Sequence, residues 1–511
     1  MTTMGTRVGS ALVASSLALA VAFFTPAHPA AGAPSGPALT IDQGSDAATL
    51  DPALQYDPAS YDVYRNIFDN LLTRDPGTGR IAAGVAKSWK SLTPTTWEFT
   101  LQPGIKFQNG DPLTAADVAF SISRILDPVL KSPQYQNFSA IQSVKVLNPT
   151  AVQITTAQPY PALLAQLVNL SIVPANYVKQ KGNAEFNAHP VGSGPYEFVT
   201  WVKGDTITLR ASPSYWRGRP FFDTVRFRAV PEPATQLADL QAGTADLIVS
   251  VNPDSVAQIQ SNPKLQVLSG PTERVAYLAF NPLGQGPTAK RQVREAIAYA
   301  LNDREMITAL LAGQARKLNG LLTPQHAGYD PRLPGFAYDP SKAKALLVEA
   351  GYPSGVSLTF TTSPQYDQRI VQAIQGELAR VGVQVKLQSY DFATYLHKVQ
   401  SPQHDWGDIR FGQWSCACLD ADGVLYPLFH TGSIWSSYSN PAFDKLADAA
   451  RTALDPAART GLYAQAQAIL QTDVPAVALW QVYALYGARK DLHWQPTPDQ
   501  QMFVSQMHLA K

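Results

Sequence analysis

The sequence predicts an α/β fold resting on an apolar core. Apolar residues recur at helical and at strand spacing, in alternation, along the whole length. Helix starts carry capping residues and helix ends carry glycine. Only two cysteines occur in 511 residues, far too few for a disulfide-built scaffold.

Taken in order, the first body element is a helix over 60–72, where Val63, Tyr64, Ile67, Phe68, Leu71 and Leu72 share one face. Trp97, Phe99 and Leu101 alternate as a strand, Pro103-Gly104 turns the chain, and Ile105 and Phe107 begin its return. Thr114-Ala115-Ala116-Asp117 is a capping box, since hydroxyl and carboxylate can each accept an orphan amide. It opens a helix with Val118, Ile122, Ile125 and Leu126 as its stripe. Gly192 and Gly194 permit a tight turn, and Pro195-Tyr196 directs the chain into a strand. Leu278 to Phe280 read as a core strand, followed by the helical stripe Val293, Ile297, Leu301. Asp339-Pro340 starts a helix with Leu346 and Leu347 inside and Gly351 past its end. A helix from about Tyr366 to Val381 leads through Gly382 into the alternating strand Val383, Val385, Leu387. This alternation implies substantial parallel pairing.

The N-terminus sets the compartment. Arg7 is the one charge before the apolar run Ala11 to Phe24, and Ala31-Gly32-Ala33 supplies an A-x-A site. That order is a secretory signal peptide over residues 1–33. The run is shorter than a spanning helix needs and stops at Thr25-Pro26. No cysteine near the cleavage site offers a lipid anchor, so an exported, periplasmic protein is expected. About 478 residues then remain, enough for two or three domains, with 39 basic and 39 acidic side chains. A chain near neutrality lacks the basic face that nucleic-acid binding needs.

Catalytic and cofactor signatures are missing. There is no G-x-S-x-G, H-E-x-x-H or G-x-x-x-x-G-K-[ST]. Gly284-Gln285-Gly286-Pro287-Thr288 reads as a plain turn, because proline removes an amide a phosphate loop would use. The eight histidines include no i, i+4 pair. No cofactor and no enzymatic activity are expected. A triad assembled from distant residues leaves a secreted hydrolase on an unfamiliar scaffold as the alternative reading.

Several long segments resemble the extracytoplasmic solute-binding proteins of peptide- and nickel-type ABC importers, family 5, the dipeptide/oligopeptide-binding group. They are Leu50-Asp51-Pro52; Ile81 to Trp89; Trp97 to Phe107; Asn109 to Val118; Val191-Gly192-Ser193-Gly194-Pro195-Tyr196 with Tyr215-Trp216; and Tyr277 to Asn281 followed by Val293 to Ile297. The similarity covers about residues 39–511 in the family's order. It implies a periplasmic binding protein type II fold, a three-domain Venus-flytrap of the cluster C kind. One lobe would combine 34–72, 190–285 and 480–511, a small domain 73–189 would be inserted, and 286–479 would form the other lobe. The resemblance implies a monomer that closes on a small polar solute (a peptide, a modified peptide or an opine-like conjugate) and docks on an inner-membrane ABC permease. A binding protein serving a chemoreceptor or acting as a chaperone is a further alternative.

The resemblance also directs attention to Gly412-Gln413-Trp414-Ser415-Cys416-Ala417-Cys418-Leu419-Asp420-Ala421-Asp422-Gly423. This stretch holds both cysteines, two carboxylates and a tryptophan in twelve residues. In the family the chain enters the cleft at a tryptophan matched by Trp414, and peptide-binding members typically place an ammonium-pairing aspartate three residues later. Here that position is Ala417, and the arginine some relatives use for the carboxylate falls near Thr361. Burying a zwitterion's ends without partners costs a few kcal/mol each. The implied ligand-facing candidates are Tyr56, Asp57, Asn281, Trp414, Ser415, Cys416, Ala417 and Asp420. Asp420 and Asp422 suit turn capping as well as ligand contact. Tyr56 and Asp57 suit a surface turn as well as a cleft wall, where Asp57 would replace a missing cation anchor. A C-x-C pair supplies two of the roughly four ligands zinc needs; a short-ring disulfide and two reduced thiols both fit the cysteines.

Overall fold

The computed structural model describes residues 36–510 except Tyr56, Gly77 and Ala417. The expected signal peptide therefore lies outside the described residues. No described helix is long and apolar enough to cross a membrane.

Helices and strands alternate as anticipated, and an eleven-stranded mixed sheet runs through the body. Its order from one edge is Val383–Ser389, Val356–Thr362, Ile409–Trp414, Leu265–Phe280, Ala476–Arg489, Leu247–Ile248, Ala38–Gln43, Thr224–Ala229, Thr206–Ala211, Tyr196–Val202, with Ala315–Lys317 added on Ala476–Arg489. Parallel pairing occurs in two places: Val356–Thr362 runs parallel to both its neighbours, and so does Ala38–Gln43. Between these groups lie the two longest strands, Leu265–Phe280 and Ala476–Arg489, paired antiparallel from Leu265 opposite Arg489 to Ala279 opposite Ala476.

That central ladder is broken once in a way that matters. Pro271 lies opposite Tyr483 and Val275 opposite Gln481, so Thr272, Glu273 and Arg274 together face the single residue Val482. Such a bulge removes residues from the ladder and re-aims their side chains. The displaced backbone groups find other partners. The Thr272 hydroxyl donates to the Val482 carbonyl (2.7 Å), Gln481 Nε2 donates to the Thr272 carbonyl (2.7 Å), and Glu273 N–H donates to Pro498 O (2.9 Å).

A separate four-stranded antiparallel sheet, Ala86–Thr93, Thr96–Leu101, Ala151–Thr156 and Ile141–Asn148, packs on the helix Ala115–Leu126. Phe99, Leu101, Val118, Ile122, Ile125, Val152 and Ile154 form its core. The capping box is present with one change. Asp117 Oδ2 accepts both the Thr114 N–H (2.8 Å) and the Thr114 hydroxyl (2.9 Å), while Oδ1 accepts Ala175 N–H (2.9 Å).

Three local expectations need correction. The first helix spans Pro58–Ile67, not 60–72, with Asp57 as its N-cap and Pro58 in its first turn. Phe68 turns extended, and Leu72–Arg74 is already a strand, although Phe68, Leu71 and Leu72 stay buried. The helix stops where Asp69 takes up Ser193 Oγ, Tyr215 Oη and Trp216 Nε1, a set of distant partners. Ile105 and Phe107 are buried in a loop closed by the bridge Lys106–Pro112, not in a returning strand. Gly192 and Gly194 serve close approach, since a Cβ would come within 2.0 Å of Ile67 O at Gly192 and 2.7 Å at Gly194.

Helices Pro340–Glu349 and Gln368–Arg380 start at capping aspartates, Asp339 and Asp367, whose carboxylates accept backbone amides. Gly351 and Gly382 beyond them have φ of +89° and +91°, which a β-carbon would strain.

Candidate functional site

A cleft of about 430 Å³ opens beside the central ladder. Its walls come from the first helix (Tyr61, Asp62), from 249–253, from the bulge (Arg274), from Gln413 just before the cysteine loop, from Trp480 and Val482 to Tyr486, and from Gln500. Such a volume falls within the usual range of small-molecule sites. A second cavity, lined by leucines such as Leu318, Leu321, Leu425 and Leu479, has a volume of only about 40 Å³, too small for a solute.

The cleft's polar groups follow from local sequence. Asp62, Arg65 and Asn66 fall at i, i+3 and i+4, so one buried face of the first helix is polar. Asn66 is committed to structure, donating to Asp62 O (2.7 Å) and Met502 O (2.9 Å) and accepting Val504 N–H (2.8 Å). Asp62 is buried with Oδ1 unpartnered. Burial pushes its carboxyl up to about 8, Arg65 opposing this and Asp57 reinforcing it. Glu273 on the bulge is buried too, with Oε2 unpartnered, and burial lifts it to about 7 against the pull of Arg274. Tyr486, on the strand between, is pushed above its usual range by burial and by Asp62, Glu273 and Asp499.

The cysteine loop is built differently, because its conspicuous groups satisfy one another. Cys416 and Cys418 form a disulfide, their Cα atoms 5.0 Å apart. It lies against Gly423, where a Cβ would come within 2.3 Å of Cys416 Sγ and 2.6 Å of Cys418 Sγ, so only glycine fits. Trp414 Nε1 donates to Gly423 O (2.8 Å), closing the loop, and its ring meets Trp435 edge-on at 5.3 Å. Asp420 forms a buried two-pronged pair with Arg459 (2.6 and 2.7 Å) while Oδ1 caps Asp422 N–H (2.9 Å). Asp422 meets Arg451 at 3.2 Å and is lifted to about 6, mainly by burial. His326, buried nearby, is lowered to about 4 by burial and accepts Thr323 N–H through Nδ1.

Of the residues singled out from sequence, Trp414, Ser415, Cys416 and Asp420 share this loop, and Ser415 and Cys416 are half-buried. Asp57 caps the first helix, accepting Ser60 N–H (3.0 Å), with Oδ2 buried and unpartnered. Asn281 lies apart. It follows Phe280, opposite Ile409, whereas Trp414 pairs with Val275, a separation of roughly 17 Å along the strand at ~3.4 Å per residue. Its Nδ2 donates to His404 O (2.6 Å) and Gly407 O (2.8 Å), so its donors hold a loop. Tyr56 and Ala417 lie outside the described residues. Arg74 donates to Cys418 O (2.9 Å) and lies 3.5 Å from Asp499. No described cluster of three or more His, Cys, Asp or Glu side chains is arranged to hold a metal.

Asp62, Glu273, Arg274, Gln413 and Tyr486 were not anticipated. The Asp-x-x-Arg-Asn spacing on an otherwise apolar helix was a readable sign for the first. The Thr-Glu-Arg interruption of an apolar strand was a readable sign for the bulge.

A mixed sheet in which two parallel groups flank two long antiparallel strands, with a cleft beside them, defines the periplasmic binding protein type II fold. The chain belongs to the bacterial extracellular solute-binding proteins, family 5 (Middle), whose description matches residues 80–436. It is a substrate-binding protein of the ABC-importer kind. Glutathione-binding protein GsiB of Shigella dysenteriae serotype 1 is 31% identical over 457 residues, covering 86% of this chain and 88% of its own. Among solved structures, the ABC transporter-associated periplasmic binding protein DppA from Helicobacter pylori, in complex with peptide STSA, is 28% identical with a TM-score of 0.77, covering 93% of this chain and 98% of its own. AgaA from A. tumefaciens R10, in complex with agropinic acid, is 27% identical with a TM-score of 0.74, covering 93% and 99%. These relatives are binding proteins.

Proposed function

We propose that this protein captures a peptide-like solute (a short peptide, a modified peptide or an opine-like conjugate) in the cleft beside the central ladder and delivers it to an inner-membrane ABC permease. The observation that carries this reading is the cleft itself, of a size for a small solute and lined by the buried Asp62 carboxyl, whose Oδ1 has no hydrogen-bond partner. Ligands named for relatives support it: glutathione, the peptide STSA and agropinic acid. In this reading the chain is exported by its signal peptide and acts as a monomer without catalysis. Segments 34–72, 190–285 and 480–511 form one lobe, 73–189 an inserted domain and 286–479 the other lobe. The separate apolar core of the small sheet supports that division. Closure around the solute is driven by contacts better in the closed state than in the open one.

The test is mass spectrometry of solute released when natively purified protein is unfolded, followed by thermal-shift and calorimetric titration with short peptides, glutathione and agropinic acid. A bound solute at a hundred times its Kd stabilises the fold by about 2.7 kcal/mol. Absence of any released solute, together with no stabilisation by any member of the panel, would sink the proposal.

A further inference from the structure

We propose that the cleft grips a zwitterionic solute by its two ends, with Asp62 receiving the ammonium group and Arg274 the carboxylate. This rests on the cleft being the solute site. The family resemblance makes Ala417 and Thr361 the positions where anchoring charges are missing; the structure supplies charges of the same two signs from other elements.

Asp62 carries the first half. Its carboxylate is 7% exposed, lines the cleft, and leaves Oδ1 buried with no hydrogen-bond partner. A buried acceptor without a donor costs free energy that a ligand N–H or ammonium would recover. Arg65, the cation closest to it in the sequence, also donates to Asn169 Oδ1 (3.1 Å) and stacks 4.3 Å from the Tyr61 ring centroid. Oδ1 is left without a donor, which the ammonium group of a solute would supply.

Arg274 carries the second half. The bulge takes it out of the ladder and sets it in the cleft wall. Glu273 beside it is electrostatically felt but forms no ion pair with it within 4 Å, and no other described residue salt-bridges it. A guanidinium offers a two-pronged donor set matched to a carboxylate. Asp62 on the first helix, Arg274 on the bulge and Tyr486 on the strand paired with it all line the same cleft. The cleft thus offers one acidic and one basic group, from separate elements, to a single solute.

The experiment uses the full-length mature protein and a random library of tri- to pentapeptides in four forms: free, N-acetylated, C-amidated, and blocked at both ends. Retained peptides are counted by native mass spectrometry. Blocking either end should reduce retention about tenfold or more, the equivalent of one charge-assisted hydrogen bond. Asp62→Asn should erase discrimination against the acetyl group and keep discrimination against the amide; Arg274→Gln should do the reverse. Equal retention of free and blocked peptides by the wild-type protein would overturn the assignment while leaving the proposed function standing, and this arm depends on no variant folding. Unchanged discrimination in both variants would overturn it too. Failure to retain peptides, glutathione or agropinic acid in any form would overturn both readings.

Discussion

The cysteine loop and the cleft wall make an instructive pair. The loop concentrates reactive-looking side chains, yet its most conspicuous groups have partners within the fold. Asp420 holds Arg459, Trp414 holds Gly423, and the two sulfurs hold each other. The cleft wall is plainer in sequence, yet it leaves Asp62 Oδ1 buried without a donor. Satisfied groups report on stability and unsatisfied ones on ligands. On the proposed function, the loop borders the site through Gln413, and the wall presents the charges.

The contrast is broken most forcefully at the loop. Arg459→Ala leaves Asp420 buried with no counter-charge, and the expected loss is about 3–5 kcal/mol in urea unfolding. A loss below ~1 kcal/mol would mean that the loop's ion pair is effectively solvated, and the distinction between the regions would fail. Asp62→Asn tests the wall with the opposite sign. Asp62 and Glu273 titrate upward in the native state, to about 8 and about 7, so the native protein binds more protons than the unfolded chain between about pH 4 and 8. Stability of the solute-free protein is therefore greatest below the unfolded carboxylate pKa and is lost as pH rises through these native values. Thermal melts across that range should show the decline. Asp62→Asn should flatten it and raise stability by about 1–3 kcal/mol at pH 8, since it removes a buried charge without removing volume. A melting temperature that climbs over the same range would contradict the assignment of an unpaired native carboxylate. Smallest is Trp414→Phe, which deletes the donor to Gly423 O and should cost about 0.5–1.5 kcal/mol in the same unfolding assay. A cost above ~3 kcal/mol would mark the tryptophan as a core element, not a loop clasp.

Local signals were legible in proportion to how locally they act. Asp339 and Asp367 sit where their helices begin, and Gly351 and Gly382 where they end, because capping and positive φ are decided within a turn. The first helix overran its true end because its apolar periodicity continues through Phe68, Leu71 and Leu72. Asp69 ends it by bonding to Ser193, Tyr215 and Trp216, all more than a hundred positions away. Gly192 and Gly194 looked like turn residues, and their actual role depends on Ile67 lying beneath them. The site divides in the same way. The composition of 412–423 was conspicuous, and its likeness to a cleft loop was readable from Trp414. That Asp62 and Arg274 look into one cleft depends on folding together positions more than two hundred residues apart. No window of sequence contains that fact.

The bulge at 272–274 has one more consequence, concerning how such a protein can change its ligand. Residues in a regular ladder answer for register as well as for chemistry, so exchanging them disturbs the sheet. Arg274 stands outside the ladder, opposite a strand that counts three residues as one. Its side chain can be exchanged for another charge, or none, while Pro271 and Val275 keep their partners on either side. The main chain there is inherited as scaffold, and the position at 274 is open to selection for a new solute.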